Sequence, residues 1–239
     1  MLHEQLQTWA GYHPEVRAAL RLVIVDDGSP EPAVNTLRNG DGRMLQQWGA
    51  EVYRILVDIP WNRGEARNIG ARHARTDWIL QMDIDHVLPA KAASALVEQR
   101  DAIKPSHWYR FRRFRIGAAD HTRNKDALPR DAEYGEIKPH GDSYLCTSSM
   151  YWLAGGYNED FSGCLGGGSP FLAFMTEIRK PVLMREDVYL HVHTTGAITD
   201  ASAGLDRDTT EYVRRKAALQ KAGKLKGHHH CRHPYERVL

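Results

Sequence analysis

The chain has 239 residues, of which 42% are hydrophobic and 26% charged, with a formal net charge of +2. That is the make-up of an ordinary globular protein, enough to bury one large α/β domain or two small ones, and the net charge itself says little about partners. No apolar run reaches the roughly 18 residues needed to cross a bilayer. No signal-peptide pattern opens the chain, and three widely spaced cysteines (Cys146, Cys164, Cys231) are no disulfide framework. A soluble cytoplasmic protein is expected.

Residues 2–20 carry Leu2, Leu6, Trp9 and Tyr12 at helical spacing, interrupted at Gly11 and Pro14. Leu20–Val25 is a β-branched strand that ends in Asp26-Asp27-Gly28-Ser29. Ser29, Pro30 and Glu31 read as the cap of a helix to about Gly40. A short helix from Met44 leads to a second strand, Val52–Val57, which ends at Asp58. A loop from Trp61 opens a helix to Arg75. Gly64 would let the backbone come close to a ligand, and Arg63 and Arg67 are four apart on one face. A helix N-terminus with arginines beside it suits a pyrophosphate, although a basic surface helix has the same pattern.

Trp78–Met82 is a third short apolar strand, ending at Asp83-Ile84-Asp85. If the extended geometry persists, the two carboxylates point the same way about 7 Å apart. A hard divalent cation with oxygen ligands would relieve their repulsion. An isolated pair of this kind also fits a helix cap or a hydrated surface. A helix follows over 89–103. Three strands separated by helices predict a parallel sheet whose strand ends lie along one edge and build one site.

From residue 106 the rhythm changes. Trp108–Arg115 reads as one strand with Arg110 and Arg112 alternating onto one face, and 117–142 as a long loop. Tyr144–Trp152 reads as a strand, Gly155–Gly168 as a glycine-rich loop and Ser169–Glu177 as a helix. Val188–Thr194 alternates, placing Tyr189, His191 and His193 on its less buried face, where a histidine suits a metal or a phosphate. Residues 206–222 suggest a basic surface helix. His228–His233 has metal-ligand composition without structural-zinc spacing and reads as a flexible tail. Residues 100–130 and 211–239 each carry a local balance of +6, a solvated face or a surface for an anionic ligand.

Val23-Ile-Val-Asp-Asp-Gly-Ser29, Asn62-Arg-Gly-x-Ala-Arg-Asn-x-Gly70, the Asp83–Asp85 pair and Gly155-Gly-Tyr-Asn-Glu-Asp-Phe161, taken in that order, resemble family-2 glycosyltransferases of the GT-A fold over about residues 1–195. The resemblance implies an α/β, Rossmann-like fold with a mostly parallel central sheet flanked by helices and a smaller antiparallel acceptor-side portion. It implies one domain over 1–205, with a donor half (1–104) and an acceptor half (105–205), followed by a basic helix and tail (206–239). It also implies a UDP- or GDP-sugar donor and Mn²⁺ or Mg²⁺. Asp26 or Asp27 would meet the base or ribose, Arg67 the nucleotide or its phosphates, Asp83 the ribose, and Asp85 with His191 or His193 the metal, with Gly28 and Arg63 among the donor-binding residues.

There are two departures. The chain starts at the helix that the family places after its first strand. Where inverting members carry a Gly-x-Glu-Asp with the general base, this chain has Gly166-Gly-Gly-Ser-Pro170. Asp83, Asp85, Glu159 and Asp160 are the nearby catalytic candidates, and inverting and retaining mechanisms both stay open. A glycan or a polynucleotide is the anionic acceptor the charge pattern suggests. The competing readings are a nucleotidyltransferase, which would want a glycine-rich phosphate loop, and a non-catalytic nucleic-acid-binding module.

Overall fold

A computed structural model describes residues 2–37, 42–116, 136–193, 208–228 and 231–239. In chain order these form α1 (Leu2–Ala10), α2 (Pro14–Ala19), β1 (Val23–Asp26), α3 (Ala33–Leu37), α4 (Gly42–Gln47), β2 (Glu51–Ile55), α5 (Arg63–His73), β3 (Trp78–Gln81), β4 (His86–Val87), α6 (Ala90–Glu98), β5 (Tyr109–Arg110), β6 (Arg112–Ile116), β7 (Glu136–Ile137), β8 (Tyr144–Thr147), α7 (Ser148–Leu153), α8 (Ser169–Ile178), β9 (Val182–Leu183), β10 (Tyr189–His193), α9 (Thr210–Lys221) and β11 (Tyr235–Arg237). The fold is α/β, as its motif order implied. The chain divides into two compact units. One comprises Met1–Leu20, Leu80–Leu145 and Pro181–Gly204, and the other Arg21–Ile79, Cys146–Lys180 and Leu205–Leu239. The division falls inside β3 and β8.

In the first unit, α1 buries Leu6 and Trp9, α2 buries Val16, and Tyr12 is buried in the turn between them. Pro14 starts α2 where a missing N–H costs nothing. The Tyr12 hydroxyl donates to the Leu88 carbonyl at 2.6 Å, so the ring is buried without losing its polar partner. A mixed sheet runs β4-β10-β6-β7, with β10 parallel to β6 and antiparallel to β4. Both faces of β10 are covered: Tyr189 and His191 are buried alongside Leu190 and Val192. The face expected to be less buried is therefore part of the core.

The 108–115 stretch is not one strand. Phe111, buried, separates β5 from β6. β5 pairs with β8 and β9, whereas β6 pairs with β10 and β7. Arg110 accordingly lies 5.0 Å from the Trp108 ring centroid, whereas Arg112 pairs with Glu136 at 2.9 Å. The two arginines do not share a strand face. Glu136–Ile137 is also a strand where a loop was expected; residues 117–135 of that loop lie outside the described residues.

The second unit is built on the sheet β1-β2-β11. β1 and β2 run parallel, Val23 opposite Glu51, and Ile69 of α5 packs on Tyr53 and Ile55. β11 closes the other side of β2, antiparallel, Tyr235 opposite Ile55. This corrects the reading of the C-terminus as a flexible tail. Where a mostly parallel sheet was expected, the described strands form three mixed sheets, in which β1–β2, β6–β10 and β5–β9 are parallel and β2–β11, β4–β10, β5–β8 and β6–β7 antiparallel.

The stretch read as a strand over 144–152 changes state at Thr147. Its hydroxyl accepts the Met150 N–H at 3.2 Å and caps α7. Tyr151 of α7 then packs 5.0 Å from the Phe171 ring, on which Tyr157 stacks at 4.4 Å between centroids.

Candidate active site

The turn after β1 is organised by Asp26. Its carboxylate accepts Ser29 N–H at 2.9 Å and Ala33 N–H at 3.0 Å, and pairs with Arg54 at 2.9 Å. Asp26, and not Ser29, thus supplies the acceptor for the first amide of α3, and its oxygens are committed to the fold. Gly28 is required by shape: its φ is 70°, and a Cβ would stand 3.1 Å from the Val57 carbonyl oxygen. Asp27 is differently placed. Asn62 donates to it at 3.3 Å. Burial pushes its pKa up to about 6, opposed by the Asn62 hydrogen bond and reinforced by Glu65, Asp26 and Asp58.

Helix α5 carries the polar centre of this unit. Asn62 donates to Glu65 at 3.0 Å and accepts from the Ser162 hydroxyl at 2.5 Å. Asn68, fully buried, uses all of its amide. It donates to the Tyr157 carbonyl and to Glu159, and accepts from the Tyr151 hydroxyl and Tyr157 N–H, all within 2.7–2.9 Å. Arg67 is buried and faces Tyr157: its guanidinium lies 5.3 Å from the ring centroid and donates to the hydroxyl at 3.3 Å. That rules out a solvated basic helix for this position. Gly64 allows the packing, since a Cβ there would sit 3.3 Å from Tyr157 Cβ. Arg63 opens the same helix and is half-buried.

Glu159, nearly inaccessible, accepts Asn68 and Cys231 N–H on one oxygen and Arg232 N–H on the other, at 2.6–2.7 Å. Burial raises its pKa against these donors. A carboxylate so enclosed holds the C-terminal segment in place, with two donors on Oε1 and one on Oε2. Asp160 pairs with Arg232 at 3.1 Å and lies near His228. Glu65 accepts His233 through both its backbone N–H and Nδ1. Gly155, at φ 94°, makes room for this segment, because a Cβ there would meet Lys226 at 2.7 Å and the Gly227 carbonyl at 2.8 Å. The glycine pair at 155–156 therefore serves a chain crossing that sequence patterning had missed.

In the first unit the Asp83–Asp85 pair is not extended. β3 stops at Gln81, and Asp83–Asp85 forms a turn closed by His86 N–H donating to the Asp83 carbonyl at 3.0 Å. Burial, then Asp83, raises the pKa of Asp85. Asp83 lies 3.2 Å from His140 Nδ1. Among the described residues, Asp83, His86 and His140 form a group whose ligand atoms all lie within 4.8 Å of one another. Asp85 and His191 are not members of it, and the His193 side chain lies outside the described residues. His86 and His140 were not singled out beforehand, although a histidine directly after an Asp-x-Asp is visible in the sequence.

The glycosyl transferase family 2 model matches residues 16–152, more than half of the chain, and spans Asp27, Arg67 and the Asp83–Asp85 turn. The chain belongs to glycosyl transferase family 2. Solved structures agree on the family's fold. S. aureus TarS residues 1–349 with UDP-GlcNAc superposes with a TM-score of 0.54 at 10% identity, covering 81% of this chain and 55% of that one. S. aureus TarS gives 0.54 at 11%, covering 93% and 40%. TarS 1–349 with UDP gives 0.50 at 11%, covering 92% and 68%. This chain thus spans about half the length of the first two. No curated protein matched in sequence.

Proposed function

We propose that the protein transfers a sugar from a nucleotide-diphosphate donor to an acceptor hydroxyl with the aid of a divalent cation. The observation that supports this most is the family match across all three donor motifs. The similar TarS structures with UDP-GlcNAc and UDP favour a uridine donor over the guanosine alternative. In this reading Asp27 is the base- or ribose-binding carboxylate, because Asp26 is occupied by Arg54 and two amides. Gly28 keeps the turn close-fitting. Arg63 and Arg67 serve the diphosphate, and Asp83 and Asp85 the ribose and the cation, Mn²⁺ or Mg²⁺. The cation and Arg67 offset charge on the departing diphosphate.

We read Glu159 as a structural carboxylate in preference to the general base, because it holds the Cys231 and Arg232 amides and the Asn68 side chain. No carboxylate stands in Gly166–Pro170, where inverting members carry the general base. An anionic acceptor loses one support, since Arg112 is already paired with Glu136. No described helix is long and apolar enough to cross a membrane. Cys146, Cys164 and Cys231 are all free thiols, which suits a reducing, cytoplasmic setting.

The test is calorimetry of UDP, GDP and UDP-GlcNAc with and without Mn²⁺, coupled to detection of released nucleoside diphosphate. Metal-dependent binding of a uridine ligand with slow donor hydrolysis is expected. A protein that binds no nucleoside diphosphate under any metal condition defeats the reading.

A further inference from the structure

The histidines beside the Asp83–Asp85 turn have a chemistry that a purely oxygen-ligated site lacks. His86 is buried, and its Nε2 lies 3.0 Å from an Arg113 Nη1. A guanidinium can only donate, so Nε2 must present its lone pair, and the ring proton sits on Nδ1. Nδ1 lies 2.5 Å from the Ser143 hydroxyl, which therefore accepts from it. His86 is thus a neutral imidazole whose tautomer is fixed by a neighbour behind it, the form in which imidazole binds a metal.

His140 is prepared in a similar way. Asp142 N–H donates to its Nδ1 at 3.3 Å, so that nitrogen also offers a lone pair. It faces a carboxylate oxygen of Asp83 at 3.2 Å. The same separation suits two ligands of one cation. Bonds of about 2.0–2.2 Å at tetrahedral to octahedral angles put ligand atoms roughly 3.0–3.4 Å apart.

One cation already stands at this place. Arg113 donates through Nε at 2.9 Å, and also through Nη2, to the Lys138 carbonyl, while its Nη1 rests on His86. Burial lowers the pKa of Arg113, and the Asp85 and Asp83 carboxylates oppose that shift.

We propose that Asp83, His86 and His140 form a nitrogen-rich divalent site that prefers ions of the Zn²⁺ and Co²⁺ kind over Mg²⁺, and that Arg113 is its built-in competitor. Two imidazoles and one carboxylate suit borderline transition ions, whereas Mg²⁺ demands oxygens and keeps its waters. Loading needs no proton transfer. Nη1 of Arg113 leaves His86 Nε2, whose lone pair passes to the ion, while Nε and Nη2 keep the Lys138 carbonyl. The proposal refines the metal in the transfer reading, but its test uses neither donor nor turnover, so the two can fail separately.

The test titrates Co²⁺ into the whole protein, following its visible absorption, with Zn²⁺ and Mg²⁺ as competitors. His228, His229 and His230 are replaced by Ser in the background so that C-terminal imidazoles do not contribute. One Co²⁺ should bind, displaced by Zn²⁺ but not by a tenfold higher Mg²⁺ concentration, in line with about tenfold or greater selectivity. His140→Ala, at a half-exposed position, should weaken Co²⁺ at least about tenfold. Arg113→Met should tighten it several-fold, since the competing donor is gone. Equal displacement by Mg²⁺, unchanged affinity in His140→Ala, or no gain in a folded Arg113→Met would each overturn the proposal. The wild-type ion ranking decides it even if a variant does not fold.

Discussion

Glu159 accepts the backbone N–H of Cys231 at 2.6 Å, across 72 residues of chain, while Asn68 of α5 holds the same oxygen from the other side. This contact ties the C-terminal segment to the helix that carries Arg67. Removing the carboxylate leaves two amides and the buried Asn68 donor unpaired, which costs about 1–3 kcal/mol for each group left buried without a partner. Glu159→Ala should therefore lower the denaturation midpoint by several degrees, with Glu159→Gln intermediate. Hydrogen exchange at Tyr235–Arg237 should accelerate in Glu159→Ala; protection equal to wild type would mean that β11 docks without Glu159.

Asp27 gives the protein a pH signature. Its folded pKa of about 6 lies above the unfolded carboxyl value of about 3.9. A raised folded pKa means that the fold favours the neutral acid. The contribution of neutral Asp27 is complete below about pH 4 and is lost as pH rises to about 6. Asp27→Asn mimics the neutral form, so its stability advantage over wild type should grow between pH 4 and 6 and level off above. Parallel urea midpoints for the two proteins across that range would contradict the assignment. In calorimetry at pH 7.5, the same variant should bind UDP more weakly than wild type.

Arg67 is the next case, because its planar cation both faces the Tyr157 ring and donates to its hydroxyl. An ammonium can reproduce neither the fork nor the stacked geometry. Arg67→Lys should weaken uridine diphosphate binding by roughly 1–3 kcal/mol. Equal affinities would leave Arg67 as a packing residue alone.

Asp85 should separate ligand binding from folding. Burial and the neighbouring Asp83 both disfavour its charge, so Asp85→Asn removes a cost to the fold. Thermal stability without metal should be unchanged or higher, while Mn²⁺-dependent nucleotide binding should disappear. Undiminished Mn²⁺-dependent binding would remove Asp85 from the cation's ligands.

What the sequence determined by itself was local. Pro14 and Gly11 divide the first helix pair, and the β-branched run before Asp26 forms β1. The glycine at 28 is forced by a left-handed turn. The order of the four motifs placed the chain in its family before any coordinate. These features depend on backbone propensity and short-range spacing, which a linear chain carries in full.

Tertiary structure decided the rest, through partners far away in sequence. Apolar runs of four or five residues do not state which strand they pair with, so the 108–115 stretch was divided between two sheets at Phe111. Tyr144–Leu153 likewise turned helical where Thr147 could cap it. Residues 231–237 show no hydrophobic period, yet they are ordered by backbone donors to Glu159 and Glu65 and by pairing with β2. His86 and His140 lie 54 positions apart and meet only when the chain folds. Hydrogen bonds and ion coordination reward proximity in space, and a sequence pattern records only proximity along the chain.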